Sequence, residues 1–281
     1  MPELPEVEAV ARTLRPLVEG HKIRCVHVFH AIATKPQPPA QLARAAEGQK
    51  IQSVQRKGKY LWLQLAKGII TFHFKLDGQL LWFSNAKELL AKANKPKPEG
   101  GVHVDVALEL DKGVLGFADG RHFARVQVYD SAEAYPSLVG LGVDAISPEF
   151  TAKKLATLLK TSKRPIKEFL LDQSRTAGIG NIYCCESLWH ARLHPSRPAN
   201  SITPTESRRL YKAIVSVLAR ALECCLHPPP NFRDATWWFQ GLEKILRVYD
   251  REGKPCRRDG HPIERISRGG RSTYFCAHCQ K

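Results

Sequence analysis

The first eight residues, Met-Pro-Glu-Leu-Pro-Glu-Val-Glu, could place a nucleophilic amine beside carboxylates. Removal of Met1 would leave Pro2 as a secondary α-amine, and α-amino groups have a pKa of about 7.7 to 8. Near neutral pH a useful fraction of such an amine is unprotonated. A lysine side chain reaches this state only if burial or a neighbouring cation lowers its pKa by about two units. The octet is therefore a candidate site for covalent amine chemistry.

A helix is predicted to begin within the same octet. Pro5 stands where a first helical residue would stand, and apolar residues recur after it at helical spacing: Val7, Val10, Leu14 and Leu17. Glu3 and Glu6 would then lie at or near the positive end of this helix, where negative charge is favoured. The alternative interpretation of the octet is a helix start that carries acidic residues and no chemistry.

Composition indicates the class of partner. The chain has 281 residues, 43% of them hydrophobic, which suits one large domain or two to three smaller ones. Its formal net charge is +16, and the excess is spread along the sequence. Distributed Lys and Arg favour a nucleic acid partner, because they displace counterions from phosphates. A membrane surface is the weaker alternative, since the sequence has no apolar run of about 18 residues and no basic amphipathic helix.

The location and oxidation state follow from the termini and the cysteines. The acidic start of the chain lacks the basic and apolar regions of a signal peptide, so we expect a cytoplasmic, nucleoid-associated protein. The sequence contains eight cysteines. In a reducing compartment they are expected to remain thiols, and two adjacent pairs at 184–185 and 224–225 are expected to pack as small apolar side chains.

Three textures along the chain predict an α+β, multidomain protein. Short apolar and alternating runs at 60–65, 69–74 and 125–129 predict an antiparallel β-sandwich or barrel after the N-terminal helix. Helical patterns follow residue 150, including a capping box that begins at Thr203. We therefore predict four segments and one exposed loop: a β-rich N-terminal domain at 1–130, a linker at 131–150, a helical domain at 151–230, a basic region that contains three cysteines at 231–281, and the loop at 92–101.

A glycine-containing turn precedes one of the predicted helices. In the run from Thr176 to Tyr183, Gly178 and Gly180 allow close backbone approach, and the following helix offers N–H groups at its positive end. Asn181 adds an amide donor. The turn could clamp a phosphate, although a simple turn between helices explains the same residues.

The C-terminal cysteines indicate a zinc site with one unusual ligand. Cys276-Ala-His-Cys279 is one knuckle of a zinc ribbon, and Cys256-Arg-Arg-Asp259 stands where the other knuckle is expected. The predicted ligands are thus three thiolates and a carboxylate. His261 or, less favourably, His278 could replace Asp259, and loss of the metal is the remaining alternative.

Between the two knuckles the sequence predicts a basic hairpin. Arg265, Arg268 and Arg271 flank Gly269-Gly270, which is typical of a hairpin tip. A solvated surface explains these arginines almost as well unless the partner is DNA.

Four motifs together resemble one family. They are the opening octet, Gly-Lys-Tyr-Leu at 58–61, the run at 178–188 and the C-terminal run at 271–281. In this order they are similar to the bacterial formamidopyrimidine-DNA glycosylases, which share a helix-two-turn-helix and zinc-finger architecture with the endonuclease VIII branch. Leu4 is closer to the formamidopyrimidine branch, because the endonuclease VIII branch typically has Gly there.

The resemblance implies roles for particular residues. Pro2 would attack C1′ of the damaged nucleotide, Glu3 would act as acid and base, Glu6 would support Glu3, and Lys59 would approach the phosphate and the lesion. The residues expected to contact DNA are His73, Arg121, Asn181 and Arg271, of which Arg271 is also assigned to the catalytic group. Leu76, Arg121 and Phe123 would fill the gap left by the extruded base.

The implied activity is a bifunctional DNA glycosylase and AP lyase of base excision repair. A Schiff base on Pro2 would lead to strand cleavage by β- and δ-elimination. The expected partner is double-stranded DNA with damaged bases or abasic sites, the cofactor is one structural Zn²⁺, and the protein is expected to be a monomer. A catalytically silent binder of damaged DNA and an RNA-binding zinc-ribbon protein are the alternatives.

The chain also departs from the family pattern. Leu76 stands in place of a Met, and the Asp-Pro-Arg-Arg-Phe motif reads Asp-Gly-Arg-His-Phe at 119–123. The segment at 232–249 is shorter than the loop that covers oxidised purines in the family, and it carries Trp237 and Trp238. Asp259 replaces a cysteine ligand. The sequence therefore leaves the preferred lesion and the opposite base undecided.

Overall fold

A computed structural model describes residues 2–93, 103–226 and 241–281. Met1, most of the predicted loop at 92–101, and the part of the 232–249 segment that carries Trp237 and Trp238 lie outside the described residues. The described residues divide into two compact units. One contains residue 2 and residues 6–139, and the other contains residues 3–5, 140–224 and 241–281. The predicted four-segment division is finer than this and stays a prediction.

The first unit is a β-sandwich with three flanking helices and a short C-terminal helix. One sheet has the strand order β1-β6-β7-β5, and the other has the order β2-β3-β4-β8. The strands are β1 (Ile23–Val28), β2 (Ile51–Lys57), β3 (Tyr60–Leu65), β4 (Ile69–His73), β5 (Gln79–Phe83), β6 (Val104–Leu110), β7 (Val114–Ala118) and β8 (Arg125–Tyr129). The helices are α1 (Leu4–Val18), α2 (Pro39–Ala46), α3 (Ala86–Ala93) and α4 (Pro136–Val139).

The apolar patterning of the strands explains the sandwich. Burial alternates along β3, where Leu61, Leu63 and Leu65 are buried and the residues between them are partly exposed. The two sheets meet through aromatic side chains, with the rings of Phe72 on β4 and Phe117 on β7 centred 5.6 Å apart. The prediction of an antiparallel sandwich is confirmed.

Helix α1 begins one residue earlier than predicted, at Leu4. The N–H of Leu4 donates to the carbonyl oxygen of Gly178, 3.3 Å away, and this hydrogen bond fixes the first residue of the helix. Of the predicted apolar positions along the helix, Val7, Val10 and Leu14 are buried and Leu17 is partly exposed.

The second unit is mainly helical and ends in a β-hairpin. Its elements are β9 (Val143–Asp144), α5 (Ala152–Lys160), α6 (Ile166–Leu171), β10 (Thr176–Ala177), α7 (Asn181–His190), α8 (Pro204–Cys225, whose last residue clusters with the first unit), α9 (Leu242–Ile245), β11 (Glu264–Arg268) and β12 (Arg271–Phe275). The predicted capping box opens α8: Thr203 N–H donates to Glu206, 2.9 Å away, and Glu206 N–H donates to the Thr203 hydroxyl, 3.3 Å away.

The C-terminal hairpin packs on α7. Strands β11 and β12 pair antiparallel, from Glu264 opposite Phe275 to Arg268 opposite Arg271. Cys185 and Trp189 of α7 share one apolar cluster with Tyr274 and Cys276 of the hairpin region. The predicted hairpin with Gly269-Gly270 at its tip is therefore present. None of the helices in the described part of the chain combines the length and apolarity needed to cross a bilayer.

Candidate active site and zinc cluster

The Glu3 side chain lies at the N-terminus of α7, a helix that is distant from Glu3 in sequence. Its side chain is 2% exposed and accepts hydrogen bonds from the N–H groups of Ile182, at 3.0 Å, and Tyr183, at 3.4 Å. Both N–H groups belong to the first turn of α7. Glu3 directly precedes the first residue of α1 and Glu6 lies in its first turn, as predicted, and the structure adds donors about 180 positions away in sequence.

The two glycines of the 176–183 turn admit the N-terminal segment. A Cβ on Gly180 would lie 2.1 Å from Cδ of Glu3, and a Cβ on Gly178 would lie 2.2 Å from Cδ1 of Leu4. Gly178 also has a φ of +102°, which L side chains rarely adopt. The prediction of close backbone approach is confirmed, but the approaching groups are Leu4 and Glu3.

This arrangement changes the predicted phosphate clamp. The N–H groups of Ile182 and Tyr183, which were expected to be open to a phosphate, donate to Glu3 instead. A carboxylate that is removed from water needs hydrogen-bond donors in place of the water it has lost. Pro2 precedes Glu3 directly and is buried, and Glu6 is fully buried.

Asn181 and Arg271 are brought to the same end of the hairpin. The Asn181 amide nitrogen donates to the carbonyl oxygen of Ser272, 2.9 Å away, and Ser272 is the next residue after Arg271. Lys167 of α6 is 1% exposed and donates to the same carbonyl oxygen at 3.0 Å and to the Thr273 hydroxyl at 2.6 Å. The first residues of β12 are thus held from two helices.

Arg271 itself is exposed and faces a surface cavity of about 400 Å³. The cavity is lined by both basic and acidic side chains, including Arg164, Lys167 and Glu168. An exposed guanidinium beside a polar cavity is suited to a phosphate group.

In the first unit, the residues predicted to fill a base gap lie on two loops. Leu76 is 40% exposed and Phe123 is 50% exposed, so both are large apolar side chains open to solvent. The Arg121 guanidinium lies 5.4 Å from the centre of the Phe123 ring and 3.3 Å from Asp77. The structure therefore brings Arg121 and Phe123 together. Leu76 directly precedes Asp77, the ion-pair partner of Arg121.

Asp119 organises the second of these loops. It is 1% exposed and accepts hydrogen bonds from the N–H groups of Arg121, Phe123 and Ala124 at 2.7 to 3.0 Å. His122, between the two functional candidates, has a φ of +57°. A positive φ at a non-glycine residue is uncommon and is stabilised by its surroundings, here by the hydrogen bonds to Asp119. The backbone of the loop is therefore fixed.

Lys59 lies in the turn that precedes β3, and His73 ends β4, the strand that pairs with β3. Lys59 follows Gly58 in the turn between β2 and β3, and the ring of Tyr60 stacks on that of His73 with centroids 4.6 Å apart. Burial, together with the nearby charges of Lys75, Lys59 and Arg125, lowers the pKa of His73 to about 3. His73 is therefore neutral at physiological pH.

The four predicted zinc ligands converge. One ligand atom from each side chain lies within 4.8 Å of the others: Cys256, Asp259, Cys276 and Cys279. Both carboxylate oxygens of Asp259 lie 3.5 Å from the Cys276 sulfur, and the sulfurs of Cys256 and Cys279 are 4.0 Å apart. Three thiolates and one carboxylate fit tetrahedral Zn²⁺, so the cluster could hold one structural zinc.

The two alternative ligands stand beside Asp259. His278 Nδ1 is 3.1 Å from one carboxylate oxygen, and His261 Nδ1 is 3.7 Å from the other. The two imidazole rings are stacked, with centroids 3.8 Å apart. This placement favours them as partners that orient Asp259 over ligands that replace it.

Three buried charged residues that organise these regions were not predicted. Lys167 holds the hairpin, Asp119 holds the loop, and Glu186 of α7 accepts hydrogen bonds at 2.8 to 2.9 Å from the N–H groups of residues 247–249. Burial raises the pKa of Glu186, and these three N–H groups counteract it. The only local signal was a charged residue within an otherwise apolar segment.

Comparison with known proteins covers nearly the whole chain. Residues 1–126 match the model of the formamidopyrimidine-DNA glycosylase N-terminal domain, residues 141–226 match that of the helix-two-turn-helix (H2TH) domain of the same enzymes, and residues 253–281 match a zinc finger found in formamidopyrimidine-DNA glycosylase and isoleucyl-tRNA synthetase. The architecture implied by the resemblance, an N-terminal domain followed by a helix-two-turn-helix domain and a zinc finger, is thus confirmed.

Individual relatives agree with these models. The formamidopyrimidine-DNA glycosylase of Symbiobacterium thermophilum is 38% identical over 283 residues, which cover 100% of this chain and 89% of that protein. The MutM (Fpg) protein from Thermus thermophilus is 36% identical with a TM-score of 0.81, and covers 99% of this chain and 98% of its own. The Lactococcus lactis Fpg in complex with DNA that contains an abasic site is 27% identical with a TM-score of 0.84, and both chains are covered completely. The chain therefore belongs to the formamidopyrimidine-DNA glycosylase family.

Proposed function

We propose that the protein is a bifunctional DNA glycosylase and AP lyase of base excision repair that acts on bacterial DNA in the cytoplasm. The observation that carries this proposal is the position of Glu3. Its buried carboxylate, held by two N–H groups of α7, directly follows the residue that becomes the N-terminal amine once Met1 is removed. A nucleophile with a fixed neighbouring acid and base is the arrangement that covalent amine catalysis requires.

In the proposed reaction, the Pro2 nitrogen attacks C1′ of the damaged nucleotide and the base leaves. Glu3 transfers protons during ring opening of the sugar and formation of the iminium ion. The iminium ion is an electron sink, so loss of a C2′ proton breaks the C3′–O bond and a second elimination breaks the C5′–O bond. Glu6 supports this end of α1, and Lys59 approaches the phosphate and the lesion.

DNA would be held through both units. Asn181, held in place by its hydrogen bond to Ser272, and the exposed guanidinium of Arg271 would contact backbone phosphates. His73 would donate or accept as a neutral imidazole. Leu76, Arg121 and Phe123 would fill the gap in the stack, which offsets part of the few kcal/mol that base extrusion costs. Exposure of Leu76 and Phe123 in the absence of DNA supports this role.

The C-terminal region would bind one Zn²⁺ through Cys256, Asp259, Cys276 and Cys279. Zinc would cross-link the two knuckles that flank the hairpin and so fix the base of the strand that carries Arg271. Metal analysis of the purified protein and of Asp259→Ala and His261→Ala tests the ligand assignment. Unchanged zinc content in Asp259→Ala together with loss of zinc in His261→Ala would show that His261, and not Asp259, is the fourth ligand.

The substrate class is oxidised bases in duplex DNA. Both oxidised purines and oxidised pyrimidines belong to the proposal, because the sequence of the segment at 232–249 is shorter than the loop that covers oxidised purines in the family. A panel of duplexes with one lesion each, opposite each of the four bases, will rank them by excision rate.

Borohydride trapping tests the mechanism. Full-length protein whose Met1 removal has been verified by mass spectrometry is incubated with abasic-site DNA and borohydride, which reduces the iminium ion to a stable cross-link. We expect efficient trapping, strong loss of trapping in Pro2→Gly, and none in protein that retains Met1. Pro16→Ala, at an exposed proline within α1, is the matched control and should trap normally.

Trapping that survives the loss of Pro2 would refute the assignment of the nucleophile. Tight lesion binding without any turnover or trapping would instead make the protein a silent binder of damaged DNA.

A further inference from the structure

Three histidines surround one buried aspartate in the first unit, away from the zinc knuckles in sequence. The carboxylate of Asp105, on β6, is 1% exposed. Its Oδ1 atom lies 3.3 Å from His30 Nδ1, 3.7 Å from His103 Nε2 and 3.0 Å from His122 Nδ1. The three imidazole rings also contact one another, with centroids 4.4 to 5.2 Å apart.

The spacing of these atoms matches a metal coordination sphere. Zinc binds imidazole nitrogen and carboxylate oxygen at about 2.0 to 2.2 Å, so neighbouring ligand atoms of a tetrahedral site lie about 3.3 Å apart. The three distances from Asp105 Oδ1 bracket this value. The ligand atoms of His30, His103 and Asp105 all lie within 4.8 Å of one another, and His122 faces the same oxygen.

Hydrogen bonding alone does not account for the cluster. His30 Nδ1 is buried and makes no hydrogen bond among the described residues, although it lies 3.3 Å from the carboxylate oxygen. His122 Nδ1 makes a hydrogen bond of ordinary length to Oδ1, at 3.0 Å. A buried imidazole nitrogen directed at a carboxylate without bonding to it is suited to share a cation with it.

The cluster is also accessible. The side chains of His30, His103 and His122 are 41%, 37% and 33% exposed, whereas the carboxylate is enclosed. A metal ion could therefore enter from solvent and reach an anionic ligand at the base of the cluster. Neutral imidazole and carboxylate ligands suit divalent zinc.

We propose that His30, His103 and Asp105 form a second transition-metal site that binds Zn²⁺, with His122 orienting the carboxylate through its hydrogen bond to Asp105 Oδ1. This site is distinct from the cysteine cluster in sequence, in ligand type and in the unit that contains it. It does not depend on the proposed enzymatic activity.

A metal at this site would act on the loop at 119–124. Oδ2 of Asp105 accepts a hydrogen bond from the N–H of Asp119, 2.9 Å away, and Asp119 in turn holds the backbone of that loop. His122 lies within the loop, between Arg121 and Phe123. Metal binding would therefore fix both the base and the tip of the loop.

Metal content tests the proposal. Full-length protein and the double variant His30→Asn/His103→Asn are dialysed against a small excess of Zn²⁺ and then against metal-free buffer, and zinc per chain is measured. We expect the wild type to retain one ion more than the double variant. His27→Asn is the matched control, because His27 lies on β1 near His30 and its ring is 3.2 Å from the carboxylate of Glu109. It should retain as much zinc as the wild type.

Cobalt substitution tests the wild type without any variant, which covers the case in which the double variant fails to fold. Co²⁺ bound to cysteine gives thiolate-to-metal charge-transfer absorption, whereas Co²⁺ bound to histidine and aspartate gives ligand-field bands alone. We expect titration of the wild type to show one phase with charge transfer and one phase without it. Equal zinc content in the wild type and a folded double variant, or a cobalt titration with only a thiolate phase, would overturn the proposal.

Discussion

Glu3 and the 119–124 loop differ in the burial and hydrogen bonding of their functional side chains. Glu3 is almost fully enclosed, and its carboxylate is hydrogen-bonded to the backbone of α7. Phe123 is half exposed, and only the backbone beneath it is held, by Asp119. A group that transfers protons requires a fixed position, whereas a side chain that enters a base stack requires open space. The buried, hydrogen-bonded carboxylate therefore suits proton transfer, and the exposed ring of Phe123 suits insertion into a base stack.

Gly180→Ala should break the first region with the largest effect. The new Cβ would lie 2.1 Å from Cδ of Glu3, so the carboxylate must move away from the α7 N–H groups. We expect single-turnover excision to fall by about 10²- to 10⁴-fold, the range that acid–base catalysis contributes. The free energy of unfolding should fall by about 1–3 kcal/mol, as for other overpacked positions.

Gly140→Ala is the matched control for that variant. A Cβ on Gly140 would meet no atom of the described residues within 4 Å, and Gly140 lies in the same unit as Gly180. Excision and stability should therefore change little. A folded Gly180→Ala protein with the wild-type excision rate would contradict the role given to Glu3.

His73→Gln tests how burial affects a titratable side chain that lies close to the exposed residues 75–77. The folded protein holds the pKa of His73 at about 3, whereas the unfolded chain has a value of about 6.5. Below pH 6.5 the unfolded state gains a proton that the folded state does not, so stability falls as the pH falls. Between pH 7.5 and pH 5 the wild type should lose about 2 kcal/mol more than the variant.

Denaturant unfolding across that pH range measures the difference. Parallel stability curves for the two proteins would show that burial and the nearby cations do not keep His73 neutral.

Phe123→Ala should have the smallest effect on stability. Because the ring is 50% exposed, we expect the free energy of unfolding to change by less than about 0.5 kcal/mol. Preference for lesion-containing over undamaged duplex should fall by about 1 kcal/mol, the lower end of an aromatic–base stacking contribution. Calorimetry and competition binding measure the two quantities.

Phe117→Ala provides the internal contrast, since Phe117 is 1% exposed and its loss should cost about 3–5 kcal/mol of stability. A Phe123→Ala protein that is as destabilised as Phe117→Ala would show that Phe123 is a core residue.

Local sequence signals predicted the elements well. The capping box of α8, the alternation in β3 and the glycine tip of the last hairpin each depend on residues a few positions apart. The donors for Glu3 could not be predicted in this way, because they lie in another helix. The same reason explains why the turn at 178–180 was interpreted as open to phosphate.

The histidine cluster escaped prediction for a similar physical reason. Pairing of β1 with β6 places Val28 opposite Val106, which brings His30 near His103 and Asp105 across about 75 residues of sequence. His122 arrives from a loop that follows a third strand. Register of this kind is set by the packing of the whole sandwich, and no spacing rule along the chain reports it.

The hydrogen bonds between Glu3 and α7 also impose an order of events during synthesis. The first donor is added 179 positions after Glu3, which takes about 10–35 s at the rate of translation. Throughout that interval the start of the nascent chain has no α7 to bind. An aminopeptidase therefore has time to remove Met1 before folding encloses Pro2, so maturation of the proposed nucleophile precedes assembly of its site.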